Sequence, residues 1–119
     1  MKHDNDNYNI DLMLKYCSEI EGTINYFGFS LETFLNNRTY QNAISMPLFQ
    51  IGEVSNRISK ELKNKYSNIP WEKIYGMRNR MGHGYDAVDF ETIWYAATER
   101  VPELKNYLEK ISKDLQKNE

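Results

Sequence analysis

Apolar residues recur every three or four positions through most of this chain, and no segment alternates apolar and polar residues as a half-exposed strand does. A repeat of this kind predicts amphipathic helices, each of which presents one apolar face to a shared core. The predicted helices are, in chain order, residues 9–27, 31–35, 39–65, 71–78 and a last one that begins after Asp89. We therefore predict an all-α fold, an up-and-down bundle of four main helices plus a short one.

Two prolines lie inside predicted helices. Pro47 falls in the third helix and Pro102 in the last, so we expect a kink at the first and a bend or break at the second, because proline cannot donate a backbone hydrogen bond. Polar residues fill both ends of the chain. We expect one domain over residues 1–119, with flexible segments at about 1–8 and 114–119.

The chain holds little material for a metal or disulfide site, since it has two histidines and one cysteine. Cys17 has no partner within the chain, and we place it on the apolar face of the first helix as a small buried residue. No zinc set, phosphate-binding glycine loop or nucleophile elbow can be assembled. We therefore expect no metal or cofactor. Because the sequence shows neither a membrane-spanning run nor the pattern of a signal peptide, we expect a cytoplasmic protein.

The formal charge of −2 is unevenly distributed along the chain. Residues 57–85 hold seven basic and two acidic side chains, a net +5, which leaves −7 for the rest of the chain. The positive field is therefore centred on this part of the sequence. An alternative is that residues 57–65 are simply the solvated face of a helix, and for most of their lysines we prefer that interpretation.

The stretch from Arg78 to Tyr85 reads Arg-Asn-Arg-Met-Gly-His-Gly-Tyr and concentrates groups that suit chemistry on phosphate. One group, a guanidinium, can hold the anion, and another, an imidazole, can move a proton. On a regular helix Arg78 and His83 would be separated by about 7.5 Å of rise and about 140° of rotation, so their heads would converge poorly. They converge better if the helix breaks at Gly82.

The same residues also fit an ordinary helix end. Arg80 and His83 would then neutralise unpaired carbonyl groups while Tyr85 packs against the bundle. Composition and spacing leave both interpretations open.

The spacing Arg78-x4-His83-x-Tyr85 resembles the signature of HEPN-domain toxins, specifically of the HepT family. The similarity covers about residues 10–110, because several flanking segments also match the family pattern. These segments are Ile51-Gly52-Glu53, Trp71-x2-Ile74-x-Gly76-Met77-Arg78-Asn79, Val88-Asp89 with Trp94, and Val101-Pro102-x-Leu104. Gly82 is a departure, since the family more often has an apolar residue before the histidine. The resemblance implies a HEPN-like all-α bundle that forms a homodimer.

The resemblance further implies the toxin of a type VII-like toxin–antitoxin system, acting as a metal-independent endoribonuclease. Arg78 and His83 would be catalytic, with Asn79 in support and Arg80 in contact with RNA phosphate. Tyr85 resembles the tyrosine that a minimal nucleotidyltransferase antitoxin modifies with AMP, and this AMPylation would switch the toxin off. The implied partners are thus RNA, the antitoxin and a second copy of the chain.

A homodimer would bring two motifs to one cleft, where two histidines could supply both proton transfers. Phe49, Trp71 and Trp94 also favour a dimer, because they exceed what a small bundle readily buries. Two other functions stay open: a non-catalytic HEPN subunit that binds a nucleotide or a nucleotidyltransferase, and a purely structural helical adaptor. Convergence of Arg78 and His83 across a dimer cleft, as opposed to burial of His83, would separate them.

Overall fold

Eight helical segments make up the fold of the computed structural model, which describes residues 2–82 and 89–117. They are α1 (Lys2–Phe27), α2 (Leu31–Leu35), α3 (Arg38–Ser55), α4 (Lys60–Lys65), α5 (Trp71–Gly82), α6 (Phe90–Tyr95), a π-helical segment (Ala96–Arg100) and α7 (Val101–Lys117). The described ranges contain no strand. The predicted all-α fold is confirmed.

Helix α3 lies at the centre of the bundle, because it packs against both α1 and α5, while α1 also packs against α7. The apolar faces that the sequence repeat predicted meet in one core. Its completely inaccessible members are Ile10, Met13, Cys17, Ile20, Phe34, Tyr40, Ile44, Leu108 and Ile111. We expected some of Phe49, Trp71 and Trp94 to face a partner, but Trp71 and Trp94 are only 8 % and 9 % exposed within the single chain, which leaves the partly buried Phe49.

The first helix ends where the sequence predicted. Gly28 follows Phe27 with a φ of +107°, a conformation that favours glycine, and its carbonyl oxygen accepts a hydrogen bond from Tyr40 Oη at 2.8 Å. The predicted start at residue 9 is wrong, because the helix begins at Lys2. Asp6, in the segment that we expected to be flexible, is only 3 % exposed. Flexibility of the two ends itself stays a prediction.

The predicted helix over residues 39–65 is in fact two helices. Helix α3 ends at Ser55, and Ser59 caps α4 by accepting a hydrogen bond from the Leu62 amide at 3.1 Å. Asp6 secures this break from a distance, since its carboxylate accepts hydrogen bonds from the amide and hydroxyl groups of Ser59 at 2.9 and 2.6 Å. Helix α3 continues through Pro47, and the kink expected there stays a prediction.

The last two helices meet near the second proline. Asp89 caps α6 as predicted, because its carboxylate accepts hydrogen bonds from the Glu91 amide at 3.0 Å and the Thr92 hydroxyl at 2.9 Å. The break expected near Pro102 takes the form of the π-helical segment, in which the Val101 amide donates to the carbonyl oxygen of Ala96. Pro102 has no amide hydrogen, so a wider turn before it replaces the regular helical bond. No described helix is long and apolar enough to cross a membrane.

Candidate active site

Helix α5 carries the first residue of the candidate site. Its start is fixed by Trp71, which is largely buried and donates from the indole Nε1 to the Tyr66 carbonyl oxygen at 3.1 Å. Pro70 stands immediately before it, where a missing amide hydrogen costs nothing, and accepts a hydrogen bond from the Ile74 amide at 3.1 Å. Two turns further on, α5 presents Arg78 at its crossing with α3.

The crossing is close because α3 carries a glycine at the point of contact. A β-carbon on Gly52 would lie 2.7 Å from Cβ of Arg78, 3.2 Å from the Ile74 carbonyl oxygen and 3.3 Å from the Arg78 amide nitrogen. Real β-carbon contacts essentially never fall below 3.0 Å. Gly52 therefore sets how near the Arg78 backbone comes to α3.

The side chain of Arg78 is held by an acidic residue of α3. Its Nε donates to Oε1 of Glu53 in an ion pair whose side chains are 36 % and 31 % exposed. The guanidinium carbon also lies 6.0 Å from the ring centre of Phe49 and 5.7 Å from that of Tyr75, within the range of cation–π attraction. The hydrogen bond that Arg78 donates to Glu53, together with the negative charge of that carboxylate, raises the pKa of Arg78 above its ordinary value. The guanidinium is thus charged and oriented, and it remains accessible to solvent.

The other predicted site residues are less fully described. Asn79 and Arg80 belong to α5, which continues to Gly82, but their side chains are outside the described part of the molecule. His83 and Tyr85 both lie outside the described residues. The convergence of Arg78 with His83, and the roles of the other three residues, therefore stay predictions.

Glu53 is the site residue whose role the sequence did not reveal. It stands 25 positions before Arg78, and in the sequence it is only one part of the segment Ile51-Gly52-Glu53 that matches the family pattern. The signal in the sequence was the dipeptide Gly52-Glu53. Gly52 allows the two helices to approach closely, and Glu53 provides the carboxylate that binds Arg78. Only the packing of α3 against α5 shows that Glu53 and Arg78 lie close together.

Neither a metal centre nor a reactive thiol is found among the described residues. Within residues 2–82 and 89–117, no three His, Cys, Asp or Glu side chains are grouped so that they could hold a metal ion. Cys17 is completely buried, as predicted, and burial raises the pKa of its thiol to about 12. A thiol with that pKa is almost entirely protonated at neutral pH, so it is unsuited to nucleophilic chemistry.

The basic residues of the central segment are at the surface. Arg57, Lys60, Lys65 and Lys73 are all exposed, and none takes part in an ion pair formed by described residues. Lys63 is partly covered, with its Nζ 5.9 Å from the ring centre of Trp71. The structure thus agrees with a solvated basic face next to the first turn of α5.

Comparison with known proteins gives a consistent result. The family model described as ribonuclease HepT-like matches residues 13–111. A Methanocaldococcus jannaschii protein named "Putative RNase" is 40 % identical over 85 residues, which cover 71 % of this chain and 73 % of that protein. A "Probable ribonuclease HepT" of Thermococcus cleftensis is 35 % identical over 82 residues, 69 % of this chain and 74 % of its own. No solved structure matches.

Proposed function

The chain belongs to the HepT-like ribonuclease family, and from this premise we propose that it is a metal-independent endoribonuclease toxin that cleaves RNA with Arg78 and His83. The observation that carries the proposal is the placement of Arg78. A permanently charged guanidinium is fixed at the α3–α5 crossing by Glu53 and still reaches solvent, two turns from the start of α5 and five residues before the histidine. This is the arrangement that a phosphate-binding group requires.

The proposed reaction needs two kinds of assistance. A base must take the proton of the RNA 2′-hydroxyl as its oxygen attacks the neighbouring phosphorus, and an acid must protonate the departing 5′-oxygen. Imidazole is the side chain that titrates near neutral pH without help, so His83 takes a proton-transfer role. Arg78 stabilises the negative charge that grows on the phosphoryl oxygens in the transition state.

Glu53 acts as a positioning residue in this scheme. Because its carboxylate binds Nε, the plane of the guanidinium is set before RNA arrives, and less side-chain entropy is lost when the phosphate binds. The rings of Phe49 and Tyr75 lie within cation–π range of the same group and add to this preference for one position. Removal of Glu53 should therefore lower the cleavage rate even though the positive charge is kept.

A homodimer is the second part of the proposal. One His83 cannot easily serve both the attacking and the departing oxygen, whereas two motifs in a shared cleft supply two imidazoles. Buried tryptophans no longer support a dimer, but other large apolar residues are exposed in the single chain, among them Phe29 at 74 % and Met46 at 55 %. Light scattering should give twice the chain mass at micromolar concentration, and a monomer that still cleaves RNA would contradict this part.

Regulation by a nucleotidyltransferase antitoxin is the third part. AMP attached to Tyr85 would place bulk and negative charge near Arg78 and Arg80 and compete with RNA phosphate. With the cognate nucleotidyltransferase, ATP and Mg²⁺, the protein should gain mass in steps of one AMP, and cleavage should fall in parallel. Modification of a Tyr85→Phe variant as readily as the natural protein would show that the acceptor lies elsewhere.

One observation favours a second candidate, a non-catalytic subunit that binds a nucleotide or a nucleotidyltransferase. Arg78 already has a carboxylate partner, and a structural ion pair would look the same in a single chain. In that case neither Arg78 nor His83 would affect RNA, and their substitution would change only stability or partner binding.

Substitution of the two proposed catalytic residues separates the candidates. His83→Ala should lower RNA cleavage by about 10²–10⁴-fold with an unchanged fold, because a general acid or base is lost. Arg78→Lys should also lower the rate of RNA cleavage, since an ammonium group cannot reproduce the planar guanidinium contacts with Glu53 and phosphate. Arg57→Lys, at an exposed arginine outside the site, is the matched control. All assays should contain EDTA, and cleavage by His83→Ala at the natural rate would refute the proposal.

A further inference from the structure

A cleft opens on the side of the bundle formed by α5, α6, the π-helical segment and α7. It has a volume of about 250 Å³ and passes over α3. Its floor is apolar and comes from Leu48, Ile51 and Ile74 among others, while Tyr95 and Tyr107 contribute aromatic rings to its walls. The π-helical segment lines it through both of its end residues, and such turns are frequent at functional sites.

Two cations stand at the cleft. Lys73 is exposed and takes part in none of the ion pairs formed within the described ranges. Arg100 is held in place by Tyr95, because its Nη2 donates to Tyr95 Oη at 3.2 Å and its guanidinium carbon lies 5.2 Å from the ring centre. Glu103 also lines the cleft, 3.7 Å from Arg100 Nη1, but both side chains are more than half exposed, so this pair is weak. The cleft keeps a net positive charge.

We propose that this cleft binds a nucleotide, with the base between the tyrosine rings over the apolar floor and the phosphate at Lys73 and Arg100. A flat aromatic ring suits a cavity that has apolar and aromatic walls, because stacking on tyrosine tolerates any base. The two cations supply charge-assisted hydrogen bonds to phosphate. A purely apolar ligand would leave this pair of cations without a role, and a bare inorganic anion would leave the aromatic walls without one.

The cleft is distinct from the Arg78 site. The residues that contact the Arg78 guanidinium are Phe49, Glu53 and Tyr75, and neither these residues nor Arg78 itself line the cleft. The two sites therefore use different side chains, although α3 and α5 contribute to both. The inference rests on the proposed function in one respect: if RNA is the substrate, the bound nucleotide belongs to the RNA strand at some distance from the cleaved bond. A free mononucleotide has the same chemistry and is the other source.

Binding can be measured without cleavage. The first probe is a fluorescent single-stranded RNA oligonucleotide with 2′-O-methyl groups, which cannot supply the attacking hydroxyl. The second probe is AMP. Lys73→Glu and Tyr95→Ala alter exposed residues of the cleft, and Lys15→Glu and Tyr26→Ala are matched controls at exposed positions of α1 outside it.

Each cleft variant should weaken binding of the oligonucleotide by about tenfold, as expected for one lost stacking or phosphate contact. The dependence of affinity on salt should also become shallower for Lys73→Glu. Both controls should bind within twofold of the natural protein. If only AMP binding falls, the cleft takes a free mononucleotide and the proposal stands in that form.

Unchanged binding of both probes by both cleft variants would overturn the proposal. It would also be overturned if the variants changed only the oligomeric mass, since the cleft would then be a protein interface. Failure of the proposed ribonuclease reaction gives a different pattern, in which the natural protein binds the methylated oligonucleotide but does not cleave its unmodified form. The two hypotheses are thus tested by separate measurements.

Discussion

Replacement of Gly52 by alanine tests whether the close α3–α5 crossing positions Arg78. The added β-carbon would lie 2.7 Å from Cβ of Arg78 and 3.2 Å from the Ile74 carbonyl oxygen. Neither atom is the far end of a flexible side chain, because the first is attached to the α5 backbone and the second is part of it. Helix α5 must therefore move away from α3 by several tenths of an ångström, and Arg78 moves with it.

Two opposing terms set the change in the free energy of unfolding. Overpacking in a well-packed contact costs about 1–3 kcal/mol. The replacement of a helical glycine by alanine recovers about 1 kcal/mol of helix propensity. The net loss for Gly52→Ala is therefore about 0–2 kcal/mol. Gly22→Ala in α1 isolates the second term, since a β-carbon there meets no described atom within 4 Å, and it should stabilise the protein by about 1 kcal/mol.

The comparison of the two alanine variants removes the propensity term. Their free energies of unfolding should differ by about 1–3 kcal/mol, which for a chain of this size corresponds to roughly 4–12 °C in Tm. Circular dichroism at 222 nm, followed during heating, measures the thermal unfolding of both variants. RNA cleavage should fall much further than the folded fraction does, by up to about 10²-fold for Gly52→Ala, because a small displacement of a positioned catalytic group is costly.

A definite outcome would refute this reasoning. If Gly52→Ala melts at the same temperature as Gly22→Ala and cleaves RNA at the natural rate, the crossing adapts without cost and its closeness does not position Arg78. If the Tm falls as expected but cleavage by the folded protein is unchanged, the packing argument holds and the positioning argument does not. Gly76→Ala offers a further control within α5, since its β-carbon also meets no described atom within 4 Å.

Two further predictions concern polar contacts between distant segments. Asp6→Ala should lower the free energy of unfolding by about 0.5–2 kcal/mol, because Ser59 loses its carboxylate partner at the start of α4. Urea titration measures this change. The control Asp11→Ala, at an exposed site, should stay within about 0.5 kcal/mol of the natural protein. Tyr66 donates to the Asp114 carboxylate, and burial followed by this hydrogen bond raises the pKa of the phenol to about 12. The stabilising contribution of Tyr66 is therefore complete below the unfolded pKa of about 10 and is lost as the pH rises through about 12. Across that interval, the Tm of the natural protein should fall more steeply with pH than the Tm of Tyr66→Phe. Equal slopes would contradict the role given to the hydrogen bond between Tyr66 and Asp114.

Local signals in the sequence predicted local structure well. The cap at Asp89 and the helix end at Gly28 depend on residues within a few positions of each other, and both are found in the structure. The break between α3 and α4 was missed for a physical reason. Val54, Ile58 and Leu62 continue the spacing of four across the break, so an apolar repeat cannot distinguish one long helix from two helices that bury the same face.

Contacts between distant residues were beyond the reach of periodicity. Asp6 belongs to a polar stretch that looked like a flexible end, yet it is buried against Ser59, 53 positions later. Glu53 and Arg78 are charged residues on two different helices, and nothing local marks them as partners. In both cases the packing of whole helices brings the groups together, and that packing depends on side-chain volumes along the entire core.

The ion pair at the candidate site has a consequence for how RNA would be attracted. Arg78 and Glu53 together carry no net charge, so at distances beyond a few ångströms the proposed catalytic arginine contributes little to the field around the protein. Attraction of a polyanion must then come from other cations. Exposed Arg57, Lys60 and Lys73 have no carboxylate partner among the described residues, and Lys73 lies in the first turn of the helix that carries Arg78. Under the proposed function, these cations would attract RNA to a chain whose net charge is −2, and Arg78 would act on the phosphate only at short range.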